Sequence, residues 1–282
     1  MGHREDNQII GVCRFSYLGT LGFKAHDTHR EDLADRLYDE QRMQRRFAYF
    51  ENICLPSLAA QTDMDFRLVV LTGDSMPLRW HQRLQDLQRH HPFVDLCVLA
   101  PAGPVNSTRR AFRQAWNGRA SFITGFRIDD DDAVARDYIA RTRKIADQLL
   151  ALGWADAQTL AAICFHRGIY WDMSAPEDRQ FWDHAEKEPL GLAAAMIMTS
   201  DARPNIFRWN HRHLASAVRC WIDPGDIMFL RTLHGHNDSD RTIPPHASAL
   251  SAGVARRLLR DRFALSPAAL QRMAQDATGD SP

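Results

Sequence analysis

The sequence predicts an α/β protein with a mixed, mostly parallel central sheet flanked by helices, and three observations predict it. Strand-like apolar runs alternate with helical periodicity from Ile9 to Gly153. Such alternation implies parallel strands joined by right-handed crossovers. The clearest run, Leu68 to Leu71, is apolar throughout, as in a strand covered on both faces. The fourth run, Phe122 to Ile128, stops against four consecutive aspartates, Asp129 to Asp132. Open α/β sheets hold their ligands at that carboxyl edge.

Taken in order, Ile9 to Tyr17 is the first strand candidate, and Arg14 sits where it should end. Asp27 to Leu58 is a broken helical region. Its apolar stripe runs Met43, Phe47, Phe50, Cys54, and Pro56 is expected to interrupt it. Asp65 to Gly73 is the second strand, with Asp74 just after it. Pro77 to His91 reads as an amphipathic helix with Leu84 and Leu87 inward, and Val94 to Leu99 as the third strand. Ser107 or Thr108 can cap a helix over Arg109 to Trp116. After the fourth strand a helix is expected to start at once on the aspartates, its stripe Val134, Tyr138, Ile145, Leu149 and Leu152. Capping accounts for one or two of the aspartates, not for four.

Beyond Gly153 the pattern changes. Ala161 to Phe165 and Gly168 to Trp171 read as short strands, Asp172 to Glu188 as a polar segment, and Leu190 to Thr199 as another strand. Pro204 to Arg219 reads as helical, with His211 and His213 as a surface pair. Ala252 to Phe263 and Pro267 to Ala274 read as terminal helices, Ser266 capping the second.

Composition narrows the function classes. The 282 residues are 45% hydrophobic and 25% charged, and 35 basic residues balance 35 acidic ones. No overall basic field argues for nucleic acid. Arginine clusters such as Arg45–Arg46 and Arg109–Arg110 read as solvated faces or ion pairs. The five cysteines form no CxxC, which fits buried thiols in a reducing compartment. The polar N-terminus has no signal-peptide core, so the expected location is cytoplasmic, with peripheral membrane association left open.

Two clusters can carry chemistry. Four adjacent carboxylates repel one another, and a divalent cation shared with a phosphate offsets that repulsion. The second cluster is His234-Gly-His236-Asn-Asp238. It supports either a metallohydrolase built on His234 and His236 or a late histidine that completes a site begun by the aspartates. The sixth position of the hydrolase pattern is Ser239 rather than histidine. GxSxG, GxGxxG and the P-loop pattern are absent, against serine hydrolase, dehydrogenase and kinase.

Three segments together resemble a known family. Leu55 to Asp74 (LPSLAAQTDMDFRLVVLTGD) is similar to the helix-to-second-strand segment of GT-A glycosyltransferases. Arg127 to Val134 (RIDDDDAV) resembles their DxD motif at a strand end. With the opening Arg14 to Gly19 (RFSYLG), these resemble a bacterial family described as putative rhamnosyltransferases, from about Ile9 to about Ser239. The resemblance implies a GT-A-like, Rossmann-like fold. It also implies Mn²⁺ or Mg²⁺, a nucleotide-sugar donor and a glycan acceptor. It places Arg14, Phe15, Ser16 and Asp74 around the nucleoside, and Arg127 and Asp130 beside the nucleotide. Asp129 and Asp131 take the ribose and metal roles and His234 completes the metal set, with the 130/132 register open. Asp172, Glu177 and Asp178 are candidate bases. Residues 1–240 become the catalytic domain, 9–153 its nucleotide-sugar half and 154–240 its acceptor and metal half, with 241–282 a helical extension. A non-catalytic nucleotide-sugar-binding module is the remaining alternative.

Overall fold

The computed structural model describes residues 6–20, 30–201, 203–235 and 242–279. Strands β1 (Asn7–Arg14), β2 (Arg67–Gly73), β3 (Val94–Leu99) and β4 (Phe122–Ile128) alternate with helices. These are α1 (Arg30–Leu37), α2 (Glu40–Tyr49), α3 (Leu55–Ala59), α4 (Leu78–His90) and α5 (Pro104–Ala115). After β5 (Ala133–Val134) and α6 (Tyr138–Ala151) come β6 (Ala161–Phe165), β7 (Arg167–Asp172), β8 (Phe181–Ala185) and β9 (Ala195–Thr199). The chain closes with α7 (Leu214–Ala217), β10 (Arg219–Asp223), β11 (Phe229–Leu233), β12 (Ser248–Ala249), α8 (Ala252–Phe263) and α9 (Pro267–Gly279).

The strands form two sheets where the sequence suggested one. The larger has the order β10-β6-β9-β4-β1-β2-β3, and the smaller β12-β8-β7-β11-β5. In the larger sheet β9 alone runs antiparallel, between β4 and β6. The smaller sheet is antiparallel except for β7 and β11. Apart from β5, its strands come from beyond Gly153, where the alternation of the first half fails. Trp182 and Asp183 of β8 lie inside the stretch that reads as merely polar.

Several boundaries move for local reasons. No helix starts on the aspartates: they occupy the turn between β4 and β5, and α6 begins only at Tyr138. Pro56 does not break its helix. A π-helical turn over Phe50–Cys54 links α2 to α3, with Leu55 N–H donating to the Phe50 carbonyl. The wider turn accommodates a proline that has no N–H to give. Helix α5 starts at Pro104, so Ser107 and Thr108 lie inside it and bond back to Gly103 and Pro104 carbonyls. The segment after β9 yields two 3-10 turns, Ile206–Arg208 and His211–His213, and the single turn α7.

Both faces of the larger sheet are covered. Val12, Leu71, Ile123 and Phe112 of α5 pack on one side. Phe15, Phe47, Phe126 and Tyr138 pack on the other, in a core that continues to Trp171 and Phe229 of the smaller sheet and to Leu259 and Leu270 of α8 and α9. Gly168 and Phe229 are register partners, and the Phe229 ring lies over the glycine. A Cβ at position 168 would stand 2.1 Å from that ring. Gly168→Ala is therefore expected to destabilise the fold by about 1–3 kcal/mol, the usual cost of overpacking, read by urea denaturation. Among the described residues no helix is long and apolar enough to cross a membrane.

Candidate functional site

The carboxyl ends of β4 and β11 meet, and the four aspartates lie between them with four different environments. Asp130 is fully buried. The Arg46 guanidinium of α2 grips both its oxygens, Nε to Oδ2 at 2.6 Å and Nη2 to Oδ1. Asp131 is 5% exposed. Its Oδ2 accepts from Arg46 Nη1 at 3.1 Å and stands 3.0 Å from His234 Nε2. Asp132 accepts the Thr232 N–H at 3.0 Å, and the Thr232 hydroxyl donates to the Asp131 carbonyl at 2.9 Å. Asp129 is the half-exposed one, 3.9 Å from Arg127 Nη2. Thr232 on β11 thus ties the aspartate turn to the smaller sheet, and His234 follows two residues later, stacked on Tyr49 of α2 at 4.6 Å.

Charge follows geometry. Burial pushes the Asp131 carboxyl up, but Arg46 and the His234 hydrogen bond outweigh it and hold it down at about 2. Burial pushes the Asp132 carboxyl well up, reinforced by the negative charges of Asp131 and Asp129. Burial lowers the Arg127 guanidinium; Asp129 opposes this, and the like charge of Arg14 adds to it. The mutual repulsion expected of four aspartates is met by protein cations on two of them and by burial on a third.

The other sequence-predicted residues divide by position. Arg14, at the end of β1, and Arg127, on β4, both lie over the Phe207 ring, at 5.5 and 5.3 Å. Phe15 is wholly buried between Phe47 and Phe50. Ser16 has a left-handed φ of 47° and accepts from Arg42 at 2.9 Å. Asp74 is exposed after β2. Asp172 ends β7 as the register partner of Leu233, one residue before His234, and accepts from the Ser174 hydroxyl at 2.6 Å. Glu177 pairs with Arg256 of α8, and Asp178 is exposed. His236 and Asp238 lie outside the described residues.

Sequence reasoning missed Arg46, Tyr49, Thr232 and Phe207. Arg46 had one signal: it sits between Met43 and Phe47 on the buried stripe of its helix, where a solvated arginine does not belong. Nothing in the spacing joined it to aspartates 84 residues away.

The donor chemistry can be tested for a divalent cation. Asp131 Oδ2 and His234 Nε2 are joined directly by a 3.0 Å hydrogen bond, which a divalent cation taking both as ligands would have to replace. Among the described residues no group of three or more His, Cys, Asp or Glu side chains is placed to hold a metal. These side chains do not make a closed protein cage, and Asp131 Oδ2 is already engaged by Arg46 Nη1, so a cation there would have to draw most of its ligands from phosphate and water.

A family model described as "Putative rhamnosyl transferase" matches residues 8–246. Among solved structures, Staphylococcus aureus TarS 1-349 in complex with UDP-GlcNAc is similar at 13% identity and a TM-score of 0.43, over 84% of this chain and 60% of that one. The same protein in complex with UDP gives 13% and 0.41, over 81% and 61%. A "Putative Glucose-1-Phosphate Thymidylyltransferase" from Bacillus anthracis gives 11% and 0.35, over 98% and 96%. The chain spans about 60% of the length of the TarS 1-349 structures. No curated protein matches it.

Proposed function

The chain belongs to the family described as "Putative rhamnosyl transferase", and from that premise we propose a metal-dependent glycosyltransferase that moves a sugar from a nucleotide-diphosphate donor to a glycan hydroxyl. The observation that carries this reading is the meeting of Asp131, in the turn after β4, with His234, just after β11. The family's label names rhamnose as the sugar. The order β3-β2-β1-β4 with the aspartates after β4 supports a GT-A-like arrangement in which Asp129 and Asp131 act as a DxD pair.

Asp131 and His234 would hold the cation, and half-exposed Asp129 faces the ribose. When bound, the cation supplies Lewis-acid stabilisation to the leaving diphosphate. Asp74 and the Arg14–Ser16 turn flank the nucleoside, with Phe15 acting only by fixing that turn from within the core. Asp130 acts through Arg46, anchoring the guanidinium that also touches Asp131. Of the three candidate bases Asp172 is preferred, because it shares the His234 edge while Glu177 is committed to Arg256. Its carboxylate would take the proton of the acceptor hydroxyl.

The test is a thermal-shift screen of nucleoside diphosphates and nucleotide sugars with Mn²⁺ or with EDTA. A ligand at a hundred times its Kd stabilises the native state by about 2.7 kcal/mol. At least one nucleotide sugar is expected to raise the transition by several degrees with Mn²⁺, and by less in EDTA. No shift across the screen sinks the reading.

A further inference from the structure

We infer that Arg14 and Arg127 form a binding subsite for a phosphoryl oxyanion, built from protein cations and independent of any metal. The two guanidiniums come from neighbouring strands, β1 and β4, where Val12 and Arg127 are register partners and Arg14 follows two residues on, on the same face. Both lie over one ring, that of Phe207. Such cation–π contact fixes their position without using their N–H groups. Gly191 presses against the Arg127 guanidinium from another side: a Cβ there would stand 3.1 Å from its central carbon.

The donors held this way have nowhere to go within the protein. Each guanidinium has five N–H donors. Among the described residues neither donates a hydrogen bond; the nearest carboxylate contact is Asp129 at 3.9 Å from Arg127. Arg14 Nε is buried and unpartnered. Arg67, Arg83, Arg141, Arg143 and Arg167, by contrast, each grip a carboxylate within hydrogen-bond reach. Two like charges side by side, with their forks unused, cost energy that an incoming oxyanion offsets. Guanidinium forks match phosphate geometry in pairs of bonds. The inference deepens the reading above by moving Arg14 and Arg127 from the nucleoside to a phosphoryl group, and it stands without sugar transfer.

The test uses inorganic pyrophosphate in EDTA, followed by calorimetry. The native protein is expected to bind it, more weakly as salt rises. Arg14→Gln and Arg127→Gln should each weaken binding at least about tenfold. The signature that separates binding from support is the thermal transition without ligand. Loss of one of two repelling charges leaves it unchanged or raises it, whereas loss of a structural residue lowers it. Should Arg127→Gln not fold, protection of Arg14 from phenylglyoxal by pyrophosphate, read by mass spectrometry, takes its place. Parallel titrations with nucleoside diphosphates and with glycerol phosphate identify the source. Loss on the first assigns the subsite to the donor, loss on the second to a phosphate on the acceptor. No pyrophosphate binding in EDTA, or equal binding by native protein and variants, overturns the inference. Pyrophosphate binding without nucleotide-sugar binding overturns only the transferase reading.

Discussion

Arg46→Ala is expected to lower the unfolding free energy by about 3–5 kcal/mol, the cost of leaving a buried charge without its partner. Asp130 is fully buried and its two oxygens are held by the one guanidinium, which also reaches Asp131. Lysine is a poor substitute, because a point charge cannot span two carboxylates as a planar fork does. Urea denaturation with an unchanged m-value reads the loss. The cause is isolated by Arg46→Ala combined with Asp130→Asn: removing the stranded carboxylate should recover much of the stability. A loss below about 1 kcal/mol for the single variant, or no recovery in the double one, contradicts this role for Arg46.

The second large effect is on ligand binding. Asp131→Asn is expected to weaken metal-dependent nucleoside diphosphate binding at least about a hundredfold by calorimetry, since an amide is a far poorer ligand for a hard cation. Stability is expected to fall as well, and its pH dependence gives the sign. The Asp131 carboxyl is held at about 2, below its ordinary value, so its contribution of about 2 kcal/mol is present above the normal carboxylate range and lost as pH falls through about 2. In EDTA the native protein should therefore lose an advantage over the variant on acidification. Undiminished binding of Mn²⁺ and nucleotide by Asp131→Asn sinks the assignment of this residue as a ligand.

The parts legible in the sequence are those set by local patterning. A continuous apolar run marked β2 and a strand-like run, Phe122 to Ile128, marked β4, and the second placed the aspartates at a strand's carboxyl end. The smaller sheet was illegible because β5 and β12 are two residues long, and because the exposed and half-buried strand β8 shows no alternation. At the site, the aspartates and His234 were visible as residue types in unusual company. Their division of labour was not, because it is set by Arg46 and Thr232, whose partners lie 84 and 100 residues away. The expectation that the aspartates begin a helix came from the α6 stripe, which is real but starts at Tyr138. Asp132 satisfies the Thr232 amide rather than a helix terminus.

The central claim is sugar transfer, and one measurement tests it most directly. The protein is incubated with Mn²⁺, the nucleotide sugar that binds in the thermal-shift screen, and a pool of glycan acceptors, and the glycans are read by mass spectrometry. The account predicts an acceptor heavier by one sugar residue, with one nucleoside diphosphate released per transfer, and loss of both in Asp131→Asn. A bound nucleotide sugar that is never consumed, or one consumed only to free sugar with every acceptor present, would contradict it.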